Sequence, residues 1–161
     1  MTQAIVRKSL YEADFFLWTQ DTIAKIKNGN FDDIDWGNLI EEIESLGKSD
    51  KREIESRLYT LLEHLLKLIY IDMPQEFNGW KRTIREQRRQ LKSLLKQSPS
   101  LKSIWSETFE SAFTDSLNDV REDYPQYQFP DKWQFECDID TMLNVDFWNC
   151  STESAALPRF L

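Results

Sequence analysis

Apolar residues recur along this chain at intervals of three and four, the spacing of one face of an α-helix. Tyr11, Phe15, Trp18, Thr22 and Ile26, with Phe16 and Ile23 beside them, share a broad face at ~100° per residue. Ser9-Leu10-Tyr11-Glu12 has the form of a capping box. A first helix is therefore predicted from Ser9 to near Asn28, closed by Gly29. A polar turn follows, and Asp35 then suits the N-cap of a short acidic helix. On it Trp36, Leu39, Ile40, Ile43 and Leu46 form a core face, Glu41 and Glu44 point away, and Glu42 sits at the border. Gly47 is predicted to end this helix, with Ser49 or Asp50 capping the next.

A long helix is predicted from Lys51 to Ile71, where Ile54, Leu58, Leu61, Leu62, Leu65 and Leu68 make the wide apolar face of a central bundle helix. Met73-Pro74 ends it, because a residue before proline is pushed out of the helical region. The next helix starts near Asn78-Gly79-Trp80 and packs through Trp80, Ile84, Leu91, Leu94 and Leu95, with Gln87 among them. Ser98-Pro99 reads as N-cap and first position of a further helix bearing Ile104, Trp105, Phe109, Phe113 and Val120. Beyond Tyr124-Pro125 the periodicity stops. An aromatic stretch with Tyr127, Phe129, Trp133 and Phe135 precedes a short helix capped by Asp138 or Asp140. So many aromatic rings are expected to cover the bundle rather than face water.

The predicted fold is all-α: an up-and-down bundle of about four long helices plus one short acidic helix, with an aromatic-rich C-terminal arm. A single helical domain is expected, with the bundle over 9–122, a packed arm over 123–150 and a weakly structured tail over 151–161. With only 4 Gly and 5 Pro in 161 residues, a protein of many short strands is disfavoured. No apolar run approaches the ~20 residues of a membrane span, and charges interrupt the start, so a soluble cytoplasmic protein without a membrane partner is expected. In that compartment Cys137 and Cys150 are expected as reduced thiols.

Charge changes this picture at one helix. The net charge is −8, yet Trp80–Lys102 carries eight cations against Glu86 alone, a segment of +7 that leaves −15 for the rest. Lys81, Arg82, Arg85, Arg88, Arg89, Lys92 and Lys96 fall on one flank of the helix. This flank is the candidate binding surface for RNA or an anionic protein. The competing role is intramolecular pairing with the acidic remainder. The flank contains no interleaved aromatic residues, which single-stranded nucleic acid would favour. Asp32, Asp33 and Asp35 lack the spacing and glycine of a calcium loop, and no metal or cofactor motif is present, so none is expected.

The strings YEADFFLWTQDTIAKIKNG, DDIDWGNLIEEIESLGKSDKREIESRLYTLLEHLLKLIY, GWKRTIREQRRQLKSLL and SPSL resemble the domain-of-unknown-function family twenty-nine, a family common in cyanobacteria. The resemblance covers about Tyr11 to Phe147 and implies an all-helical fold of unassigned function.

His64, the single histidine, stands seven residues after Arg57, which puts both side chains on one side of a helix about 10 Å apart. This Arg–x6–His pair resembles the signature of the HEPN (higher eukaryote and prokaryote nucleotide-binding) ribonucleases. The resemblance implies His64 as general acid/base and Arg57 as phosphate clamp in a homodimer that cleaves RNA without metal. The chemistry suits the residues, since imidazole exchanges protons near neutrality and guanidinium stabilises phosphate charge. Leu58 departs from the polar residue usual after the arginine. The structural alternative is a border histidine bonded to a carboxylate such as Glu42. Trp36, Glu42 and Trp80 are the expected structural residues. The function read from the sequence is a non-enzymatic protein- or anion-interaction module, with a toxin-like, metal-independent ribonuclease as the alternative.

Overall fold

The computed structural model describes residues 8–152. Among them the regular structure is wholly helical: α1 (Leu10–Ala13), α2 (Phe15–Lys27), α3 (Trp36–Tyr70), α4 (Phe77–Gln97), α5 (Trp105–Asp123) and α6 (Ile139–Asn144), with short 3-10 turns between α2 and α3, α3 and α4, and α4 and α5. None of these helices is long and apolar enough to cross a membrane. The chain divides into two compact units at Lys48/Ser49, and α3 contributes to both. The expectations for the chain start and for residues beyond 152 concern residues outside those described.

Local polar chemistry builds the N-terminal unit. Ser9 Oγ accepts from the Glu12 amide, as the capping pattern predicts. The helix does not run on to Asn28, however. Asp14 leaves the helical region (φ −153°, ψ 92°), and its carboxylate accepts from the Leu17 amide at 3.0 Å, opening α2 afresh. An aspartate inside a helical pattern competes for backbone donors, and here it wins. At the far end Gly29 (φ 75°) lets Asn30 N donate to Lys25 O and Gly29 N to Ile26 O, the paired bonds of a Schellman stop. Asp35 Oδ1 accepts from the Asn38 amide at 3.3 Å and starts α3. Tyr11 stacks edge-on against Trp18 and donates to Glu42 Oε1 at 2.5 Å, so Glu42 ties this unit together. The carboxylate pushes the phenol pKa up to about 12.

Two expectations for this unit are corrected. Gly47 does not end a helix, because α3 continues unbroken for 35 residues. One interior glycine costs about 1 kcal/mol, which the surrounding Glu, Leu, Lys and Arg helix formers offset. Trp36, Ile40, Ile43 and Leu46 do not form a core face either; all are exposed. Trp36 is held locally by its indole N–H to the Phe31 carbonyl. Of the predicted face on α2, only Trp18 and Thr22 are buried.

The C-terminal unit holds the packed core. Ile54, Leu58, Leu61, Leu62 and Leu65 of α3 are fully buried against the apolar faces of α4 and α5. Burying each such side chain contributes roughly 1.5–3 kcal/mol. Trp80 is buried in this core, as expected. Between α4 and α5 the chain makes a 3-10 turn over Pro99–Ile104, and Ser98 does not cap it. Its hydroxyl instead contacts Asp50 Oδ2 at 3.4 Å. The aromatic arm packs on the core: Trp133 meets Phe109 and Phe113 edge-on, and Trp105 Nε1 donates to the Cys137 carbonyl at 2.8 Å. Asp138 caps α6 through the Thr141 amide. Cys137 is an exposed free thiol, and the Cys150 side chain lies outside the described residues.

Candidate functional site

α4 sorts its basic residues by their angle from the core face. At ~100° per residue Arg88 lies only ~80° from Trp80, nearer the core than any other cation on the helix. The structure buries it to 8% exposure. Arg88 Nε donates to the Met142 carbonyl at 2.9 Å, Nη2 donates to the Val145 carbonyl at 2.5 Å, and Nη1 lies 3.5 Å from Asp146. Its guanidinium also sits 5.9 Å from the Trp148 ring centre. Burial lowers its pKa and Asp146 opposes that shift. Arg88 is therefore a clamp on the arm after α6. It is not part of the exposed binding flank predicted from the sequence, because its donors are already committed to the arm.

Two neighbours share that task. Lys92 donates to Asn144 Oδ1 at 2.8 Å, and Lys81 Nζ lies 5.8 Å from the Trp148 ring centre. Arg82, Arg85, Arg89 and Lys96 face outward and are exposed. Arg89 pairs with Glu86 one turn back on the same helix. Arg82, Arg85 and Arg89, together with Thr83, Glu86 and Gln87, line an open depression of about 480 Å³. The sequence placed Thr83 and Glu86 on the other flank and Gln87 at the core face. The wheel gives no signal that corrects Gln87, which falls inside the apolar stripe ~20° from Trp80, between it and Leu94.

Gln87 links this surface to α3. Its Oε1 accepts from Arg57 Nη1 at 3.4 Å, and Arg57 Nη2 lies 3.4 Å from Glu53 Oε1. His64, two turns on, is half-buried, and its Nδ1 is 2.9 Å from the Thr60 carbonyl oxygen. The neutral ring donates there through Nδ1, which leaves Nε2 as the basic nitrogen. Glu63 is 3.7 Å from the ring, but its other oxygen accepts from Lys67 at 2.8 Å. Burial lowers the His64 pKa, Thr60 opposes the shift, and Lys67 adds to it more weakly. His64 thus titrates below the usual histidine range. Its polar partner is Thr60, not Glu42, which belongs to the N-terminal unit and accepts from Tyr11. Arg57 and His64 each have a different partner in the C-terminal unit.

Among the described residues no group of three or more His, Cys, Asp or Glu side chains is gathered to hold a metal ion. A second open depression in the arm is lined by Trp133, Phe135 and Phe147 together with polar neighbours such as Gln134, Glu136 and Thr141.

No curated protein and no solved structure matches the chain. The family model described as "Domain of unknown function DUF29" matches residues 10–148, from the first turn of α1 to the ring that Lys81 and Arg88 face. That span takes in α4, the Arg57–His64 segment and the clamped arm, and the chain belongs to this family.

Proposed function

We propose that the protein is a non-enzymatic interaction module that receives an anionic partner protein on the outer face of α4. One observation carries this reading: Arg82, Arg85 and Arg89 line a single open depression on a chain whose net charge is −8. Lys96 extends the same exposed stripe toward the end of α4. Guanidinium forks match carboxylates in two-point contacts, and their fixed geometry adds specificity to charge. The stripe has no aromatic platform on which bases could stack, so a carboxylate-rich polypeptide suits it better than single-stranded RNA. The long-range field supports the same division of labour. An acidic remainder repels polyanions generally, so attraction is confined to this helix.

The ribonuclease alternative rests on the Arg57–x6–His64 spacing. Its two side chains are separately engaged, one by Gln87 and Glu53 and the other by Thr60, so no geometry favours it over the interaction reading. The test for the interaction reading is binding of a fluorescent acidic peptide to the full chain and to an Arg85→Glu, Arg89→Glu variant. Binding to the former, lost in the latter and weakened by salt, is the expected result. Equal binding by both forms removes α4 as the interface.

A further inference from the structure

Among the described residues the exposed large apolar side chains fall in one stretch of the chain. Among those residues all eleven lie between Leu10 and Leu46, within the N-terminal unit. Phe16 is 71% exposed, Leu46 69% and Ile43 60%. Trp36, Ile40 and Ile43 follow a four-then-three spacing along α3, the spacing of a helix-packing seam. Glu41 and Glu44 lie off that seam. Between Trp36 and Ile43 the seam carries no carboxylate.

We infer that the N-terminal unit is a self-association surface whose occupant is the same unit of a second copy of this chain. Leu17 lies on the side of α2 opposite Ile26, so only the eight that share one broad face of α2 (Phe15, Phe16, Ile23, Ile26) or of α3 (Trp36, Ile40, Ile43, Leu46) count toward an interface. At about half exposure, and about 200 Å² each when fully exposed, they present on the order of 800 Å². Single chains seldom expose apolar patches above a few hundred Å². A stable interface needs ~800 Å² from each partner, so this surface is large enough by itself. The unit supplies α2 and the first part of α3, too few helices to enclose a core. A two-fold axis brings two more helices and completes a four-helix arrangement from one patch used twice.

Charge distinguishes this pairing from a head-to-tail contact with α4. Residues 8–48 carry nine carboxylates and four lysines. Two such units repel each other weakly, so added salt should strengthen an apolar pairing between them. A contact between this acidic unit and the basic α4 of another copy would weaken with salt instead.

The experiment is light scattering on the full chain across concentration and salt. The expected mass is twice 19.2 kDa, held or favoured as salt rises to about 0.5 M. An Ile40→Asp, Ile43→Asp variant should raise the dissociation constant about a hundredfold or more, because each new carboxylate would have to be buried. Phe16→Glu on α2 is the second variant, and circular dichroism checks that both stay helical. A monomer at about 0.1 mM overturns the inference. So does a dimer that salt dissociates, or one that both helical variants retain.

Discussion

His64 is the single histidine, so one imidazole can be followed through its titration without overlap. Burial holds its folded-state pKa below the unfolded value of ~6.5. Between those two values the unfolded chain binds more protons than the folded one. The contribution to stability is therefore complete above pH ~6.5 and is lost as pH falls through the folded pKa. His64→Gln, which keeps an N–H for the Thr60 carbonyl, should show a smaller fall in urea midpoint between about pH 7.5 and pH 5.5 than wild type. Identical falls would contradict the desolvated site. Arg88 gives a larger effect. Arg88→Ala leaves the Met142 and Val145 carbonyls without their donor and frees the arm, and should cost about 2–4 kcal/mol in urea unfolding. A loss under 0.5 kcal/mol would mean that the arm holds by its aromatic contacts alone. The flank as a whole was legible in the sequence. The separate fate of Arg88 was only half legible: its angle marks it as the cation nearest the core, but the arm carbonyls that receive it come from residues over fifty positions away.

At the scale of elements, the sequence was most readable where a side chain caps its own helix. Ser9, Asp35 and Asp138 all accept the amides that their positions imply. It was least readable where two local preferences compete. Asp14 breaks a periodic run by capping α2, whereas Gly47 fails to break one. The two glycines that flank this region give opposite predictions. Gly47 is exposed, helical and has nothing within 4 Å of an added Cβ, so Gly47→Ala should stabilise α3 by about 1 kcal/mol. Gly29 has φ 75° in the Schellman stop, so Gly29→Ala should destabilise by about 1 kcal/mol although space is open there too. Thermal melts of the two variants should move in opposite directions. A fall for Gly47→Ala would contradict the continuous helix.

For the whole molecule, the helical class and the core of α3, α4 and α5 follow from apolar spacing, because residues such as Leu58, Leu61 and Leu65 repeat one face over several turns. The same spacing misplaced Trp36, Ile40 and Ile43. It shows that a face is apolar without saying what covers it, and among the described residues all three are exposed. Charge had the same limit on α4. The seven cations of one flank divide between Arg88, Lys81 and Lys92, which hold the arm, and the outward stripe of Arg82, Arg85, Arg89 and Lys96. The interaction reading also predicts that total RNA stays intact with the purified protein in EDTA; cleavage abolished by His64→Ala would establish the ribonuclease alternative instead. The most direct test of the central claim is the affinity of the full chain for a labelled poly-glutamate peptide, measured by anisotropy at two salt concentrations. The expected result is binding that weakens several-fold between about 0.05 and 0.2 M salt and falls at least about tenfold in the Arg85→Glu, Arg89→Glu variant. Binding of equal strength in the two proteins, or no binding to wild type at low salt, would contradict it.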